Sequence, residues 1–313
     1  AFVAFSSGHA MGAAEALKDP ATYERNAIKS ALSSFTSDGS FPDLLPDHHP
    51  AAMRARSVCT RVLAAARDSA AAELRAKDKE VLEAKAKGEE PDIGDSEAER
   101  LRGLQAFVRR ERWNVVTIDS PVPNAFVMPA CPGRVFVFRG LVERMVNDDE
   151  LAFVVGHELT HVMEGHGEDS VQLVGMGAIA QAVLLSLIDP TGGWATEALL
   201  FVVLRLASKY GMCMPASRAF EYEADANGLK LAARACFDPN KASKALLDLR
   251  PADAEPVEDE SSVQSFFFDH PNTKDRIDAI KSEALPEAQK IYKEGKCERL
   301  RKSYVSSLLG RAR

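Results

Sequence analysis

The chain has 313 residues, 46% of them hydrophobic and 27% charged, with a formal net charge of -7. That length and balance fit a folded catalytic domain with extensions, and an acidic chain lacking a sustained basic face excludes nucleic acid as a partner. Five cysteines, Cys59, Cys131, Cys213, Cys236 and Cys297, are scattered without a CxxC pair, so isolated thiols are expected, with neither a disulfide framework nor a cysteine-ligated metal.

Residues 1–50 mix Ser, Gly, Pro and His and read as a partly irregular extension, in which His48 and His49 are assigned no ligand role. Residues 51–110 read as long helices: an Ala-rich run from Ala51 to Lys87, a polar break near 88–96 expected to be a mobile loop, and a second helix through Arg110. The pattern then switches to period two. Trp113 to Ile118, Asn124 to Met128 and Val135 to Phe138 are short apolar runs set off by Pro121, Pro123, Pro129, Pro132 and Gly133, which predicts a small meander of strands.

Asp148 to Gly165 predicts a helix, with Asp148, Asp149 and Glu150 suited to its positive end and Gly165 to its stop. Its centre reads His157-Glu158-Leu159-Thr160-His161. Histidines at i and i+4 put two imidazoles on one face with a carboxylate beside them, which is a zinc-hydrolase site in outline. Leu151, Val155, Leu159 and Val162 form a stripe roughly opposite, so the helix is expected to bury one side and offer its ligands on the other.

Catalytic zinc takes three protein ligands and keeps a position for water. His166, five residues beyond His161, would face away on a continued helix and reads as a surface or loop histidine. Glu221 is the third ligand expected. In Ser217-Arg218-Ala219-Phe220-Glu221-Tyr222-Glu223-Ala224-Asp225 it shares a helix face with Asp225, while Glu223 points away. Asp225 suits a hydrogen bond from the second ring nitrogen of a zinc-bound histidine, which fixes its tautomer. Between the two motifs, Val171 to Ile188 runs without a formal charge, and a second apolar helix follows Asp189-Pro190-Thr191-Gly192-Gly193. The run from Val171 to Ile188 is at the lower limit of length for a membrane helix, and burial of the two as a helical hairpin behind the zinc helix is preferred.

HExxH at 157–161 followed by ExExD at 221–225, preceded by Asn124-Ala125-Phe126 and Gly140-Leu141 and followed by His270-Pro271 with Arg276-Ile277, resembles the M48 family of zinc metalloendopeptidases. Within that family the likeness is to the mitochondrial inner-membrane branch and its bacterial periplasmic relatives in quality control. The resemblance implies one Zn2+ per chain on His157, His161 and Glu221, with Glu158 as general base. It further implies that His270 and Arg276 stabilise the tetrahedral intermediate, and that Asn124 and Ala125 form the edge strand that binds an extended polypeptide substrate.

The fold expected is a mainly helical α+β, zincin-like (gluzincin) metallopeptidase with a small β-sheet beside the HExxH helix. Its peptidase core spans 111–285, followed by a basic C-terminal helix at 286–313. Hydrolysis of misfolded or membrane-associated proteins is the activity implied. A latent peptide-binding or chaperone-like module on the same fold is the alternative, and a metal hydrolase with a non-peptide substrate a weaker one. By resemblance the place is the mitochondrial inner membrane, with another membrane-associated or periplasm-like compartment as alternative. Nothing in the sequence sets an oligomeric state.

Overall fold

A computed structural model describes residues 43–90, 93–127, 133–166, 214–248 and 274–297. Chain contacts divide the molecule into two units, residues 1–26 with 165–221 and residues 27–164 with 222–313. The second unit, together with the helix Met214–Arg234 that runs into it without a break, holds nearly all of the described residues.

α1 (Pro50–Ala86) starts where Pro50 needs no N–H partner and where His49 accepts a hydrogen bond from the Ala51 amide at 3.2 Å. Its first half buries Ala51, Ala55, Val58, Cys59, Val62, Leu63, Ala66 and Ala70, a stripe at helical spacing. Small side chains along that stripe let neighbouring helices come close. α2 (Asp95–Arg109) folds back on α1, and Arg100 bridges Glu73 on α1 and Glu164 further along the chain.

The sheet follows. β1 (Asn114–Ile118) runs parallel to β3 (Arg134–Phe138), and β2 (Ala125–Phe126) pairs antiparallel with the other side of β3, giving the order β1-β3-β2. The expected meander is therefore corrected: the strand last in sequence sits in the middle. All of Val135-Phe136-Val137-Phe138 is buried, so β3 is covered on both faces, which is the character of a central strand. Phe126 stacks on Phe136 with ring centroids 4.9 Å apart. The outer side of β1 is engaged by residues 43–45, through Leu45 N–H to the Thr117 carbonyl and Asp119 N–H to the Asp43 carbonyl, at 2.9 and 2.8 Å. β2 is the opposite edge.

α3 (Arg139–Arg144) leaves β3 directly, and α4 (Asp148–Met163) is the central helix of the core. α5 (Met214–Arg234) is followed by the short turns α6 (Pro239–Ala242) and α7 (Ala245–Asp248). The last described run is α8 (Lys274–Ala279), a π turn at Ile280–Ala284 and α9 (Leu285–Glu294). Pro286 in the first turn of α9 offers no N–H to the preceding turn, and the wider π winding accommodates that loss.

Cysteine usage also departs from expectation. Cys236 and Cys297, 61 residues apart, form a disulfide that ties the end of α5 to the end of α9. Sequence spacing could not reveal this pair, because nothing local marks two chain ends that meet only in three dimensions. Cys59 is a buried free thiol whose pKa burial pushes up to about 12, while Cys131 and Cys213 lie outside the described residues. Closing a loop of that length restricts the unfolded chain, so Cys297→Ser should lower the unfolding free energy by about 2–4 kcal/mol. Urea melts of the variant and of reduced wild type check this; coincidence of both with the oxidised wild type would show that the bridge contributes nothing.

Among the described residues no helix is long and apolar enough to cross a membrane. The apolar stretches at 171–188 and beyond 193 lie outside them, as do residues 1–42.

Candidate functional site

α4 is held at its start by short-range polar chemistry. Asn147 Oδ1 accepts the Glu150 N–H at 3.0 Å, and the Glu150 carboxylate accepts the Val146 N–H at 2.9 Å and the Asn147 side-chain amide at 2.6 Å. This reciprocal arrangement satisfies amides that the helix leaves open. The buried Asp149 accepts the Asp238 N–H at 2.7 Å, and Arg54 of α1 binds Asp148 and the carbonyls of Val142 and Met145. At the far end Gly165, with φ +77°, takes the left-handed turn that stops the helix.

The helix differs from its expected form in one respect. Every residue from Asp149 to Thr160 is buried, including His157 at 0% and Glu158 at 4% relative exposure. The core and the paired histidines are thus not separated onto an inner and an exposed side. An apolar stripe shows where a helix must bury itself, whereas burial of the polar side depends on what packs there, here α5.

α4 and α5 meet backbone to backbone at Gly156 and Gly228. A Cβ on Gly156 would lie 2.5 Å from the Gly228 carbonyl oxygen, and one on Gly228 would lie 2.6 Å from the His157 amide nitrogen. Only hydrogen fits in either place. One turn earlier on α5, Asp225 Oδ1 is 3.0 Å from His157 Nδ1. Two turns earlier, Glu221 joins His157 and His161 in a cluster whose ligand atoms all lie within 4.8 Å of one another. Glu221 and Asp225 are buried and Glu223 is exposed, in keeping with their spacing on the helix.

The electrostatics run in one direction. Arg276 of α8 grips Asp225 with two bonds of 2.7 Å, Nε to Oδ2 and Nη2 to Oδ1. Burial pushes the Asp225 carboxyl up, yet the hydrogen bonds from Arg276 and His157 outweigh it and hold the group below the usual carboxylate range. An ionised Asp225 can only accept, so a hydrogen bond at this contact takes a proton on Nδ1 of His157, and in a neutral ring Nε2 is then the lone-pair nitrogen. That nitrogen is 3.1 Å from Nε2 of His161, and the two rings stand edge to face. Two ligands about 2.0–2.1 Å from a tetrahedral ion would be roughly 3.3 Å apart. Two imidazole nitrogens and a carboxylate oxygen are a donor set suited to a divalent transition metal. His161 is the partly exposed member of the three and marks the side open to solvent.

The remaining expected residues fall in different places. Asn124 is buried at the start of β2, its Oδ1 accepting the Ala125 N–H at 2.8 Å and its carbonyl accepting the Phe138 N–H at 2.9 Å. Ala125 pairs with Val137, on the edge strand that packs beside α4. His270 lies outside the described residues. His166 is not a surface residue: it is 4% exposed, with its ring stacked on Phe220 at 4.4 Å between centroids. The left-handed turn at Gly165 explains the difference, since helical angles cannot be extrapolated past it. Sequence reading missed Gly156 and Gly228. Their signal was a glycine inside each helical pattern, where its cost of about 1 kcal/mol relative to Ala calls for a packing reason.

The sequence profile of peptidase family M48 matches residues 95–284. The mitochondrial metalloendopeptidase OMA1 of Schizosaccharomyces pombe is 34% identical over 178 residues, covering 57% of this chain and 48% of that protein. Its counterpart in Saccharomyces cerevisiae is 32% identical over 200 residues, 62% of this chain and 53% of the relative. Protease HtpX of Psychrobacter sp. is 30% identical over 196 residues, 52% of this chain and 62% of that protein. The chain thus spans about half the length of the fungal relatives it matches.

Proposed function

We propose that this chain, which belongs to peptidase family M48, is a zinc-dependent metalloendopeptidase of the gluzincin kind that hydrolyses misfolded or membrane-associated proteins. The observation that carries the reading is the convergence of His157, His161 and Glu221 within 4.8 Å, with His157 oriented from behind by Asp225. Those three residues would hold one zinc ion, which supplies Lewis acidity toward the scissile carbonyl and lowers the pKa of its water toward about 7.

The chain's own residues do the rest. Glu158 accepts a proton from the attacking water on its carboxylate and returns it to the departing amine nitrogen. Asp225 keeps the His157 proton on Nδ1, so Nε2 stays available as a ligand. An extended substrate is assigned to edge strand β2 at Asn124 and Ala125, following the family resemblance, where main-chain hydrogen bonds would hold it largely without regard to side chains. His270 is assigned the stabilisation of the developing oxyanion, following the family resemblance. The peptidase core is assigned to 111–285, with α1 and α2 as a helical layer behind it. A mitochondrial place is proposed from the names of the fungal relatives, and a role in protein quality control at the inner membrane follows the family resemblance.

Metal removal tests the reading. The purified chain should carry about one zinc and cleave casein; a strong chelator should abolish cleavage and added zinc should restore it. Glu221→Gln should lose most of the metal together with the activity. Undiminished cleavage by the metal-free chain would end this assignment. Tight gripping of casein by the zinc-loaded chain without hydrolysis would favour the latent binding module instead.

A further inference from the structure

We propose that Arg276 is a positioning residue of the metal centre, acting on His157 through Asp225, and not a group that touches the substrate. The inference rests on the metallopeptidase reading for its purpose, but its geometry stands without it. Arg276 and Asp225 are 3% and 2% exposed, on helices 51 positions apart in sequence, and meet as a bidentate pair. Oδ1 of Asp225 also faces Nδ1 of His157 at 3.0 Å.

Order along this series is what decides the role. The Nε and Nη2 edge of the guanidinium is committed to Asp225, and Asp225 meets His157 on its Nδ1 edge. Nε2, which faces His161 at 3.1 Å, lies across the ring. A carboxylate and an imidazole therefore stand between this edge of the guanidinium and the ligand cluster. Along this edge Arg276 acts on the cluster through Asp225 and His157.

The fork has a purpose that a point charge would not serve. A carboxylate bonded only to His157 could turn about its own axis, carrying Oδ1 out of line with Nδ1. Two parallel N–H bonds from a planar guanidinium fix the plane of that carboxylate, as a lysine's single ammonium cannot. The His157 ring is then held in one orientation and one tautomer, with Nε2 aimed at His161. Such supports behind metal ligands typically change metal affinity by about 10–100-fold.

The test uses the full chain with Arg276→Lys, Asp225→Asn and the double variant Asp225→Asn/Arg276→Met, which removes both buried charges together. In the zinc-free protein, 15N NMR of His157 should report an Nδ1–H tautomer for wild type and a mixture for Arg276→Lys. Zinc affinity, measured by competition with a chromogenic chelator, should fall about 10–100-fold for Arg276→Lys and for Asp225→Asn. In the double variant it should fall no further than in Asp225→Asn alone, because Arg276 has nothing left to act through. At saturating zinc, kcat of Arg276→Lys should recover to within a few-fold of wild type. Unchanged tautomer and zinc affinity with kcat lowered a hundredfold would overturn the proposal, as would a double variant whose zinc affinity falls well below that of Asp225→Asn alone. Should wild type bind no zinc at all, the metallopeptidase reading fails, and the tautomer measurement still decides whether Arg276 orients His157.

Discussion

Glu158→Gln should leave the protein folded and loaded with metal while peptide hydrolysis falls by about 10²–10⁴-fold or more. The substitution keeps the volume of a side chain that is 4% exposed in the packed interior of α4, so the cost in stability should be small. None of the three ligand atoms belongs to it, and metal content should be unchanged. What the amide lacks is the ability to take a proton from water and hand it on. The loss should therefore appear in kcat, with KM for a fluorogenic peptide near the wild-type value. Zinc analysis and peptide kinetics on one preparation check both halves. Activity within tenfold of wild type would remove Glu158 from the mechanism, and parallel loss of zinc would recast it as part of the binding site.

How much of this was legible in the sequence varies with the range of the forces involved. The helix at 148–163 and the placement of Glu221 and Asp225 on one face of another helix follow from local periodicity and from the residues at helix ends, which are short-range effects. Strand positions were equally legible from prolines and apolar runs. Strand order was not, because turn residues say where a strand stops and nothing about its neighbour. The unbroken run Val135-Phe136-Val137-Phe138 carried the missing information, since a strand without polar alternation is buried on both faces and belongs in the centre.

Longer-range contacts left little trace. Cys236 and Cys297 pair across 61 residues, and Arg276 reaches Asp225 across 51. In the sequence Arg276 is a charged residue in a helical pattern, which reads as solvated or as facing a substrate. Only its partner's burial reveals a third possibility, a cation enclosed to hold an anion. Burial of a charge is otherwise expensive, so a buried bidentate pair directly behind His157 points to orientation as its use.

Replacing Gly228 with Ala should do far more damage than adding a methyl group ordinarily does. The new Cβ would lie 2.6 Å from the His157 amide nitrogen and 2.9 Å from its Cα, and a methyl on Gly156 would meet the Gly228 carbonyl oxygen at 2.5 Å. These are backbone atoms within helices, which cannot swing aside as a side chain can, so α4 and α5 must move apart. Overpacking of this kind costs about 1–3 kcal/mol or more. The larger consequence is chemical: Asp225, one turn from the contact, is 3.0 Å from His157, and a displacement of about 1 Å would carry that hydrogen bond past its useful range. Zinc affinity should drop about 10–100-fold for Gly228→Ala, and further for Gly228→Val. Gly103, inside α2, supplies the contrast, since nothing lies within 4 Å of a Cβ placed there. Gly103→Ala should raise stability by about 0.4–1 kcal/mol and leave metal binding untouched, because the helix gains propensity and the unfolded chain loses freedom. Thermal melts and chelator titration of both variants would separate the two effects. Equal behaviour of Gly103→Ala and Gly228→Ala would mean that the helix crossing does not set the geometry of the site.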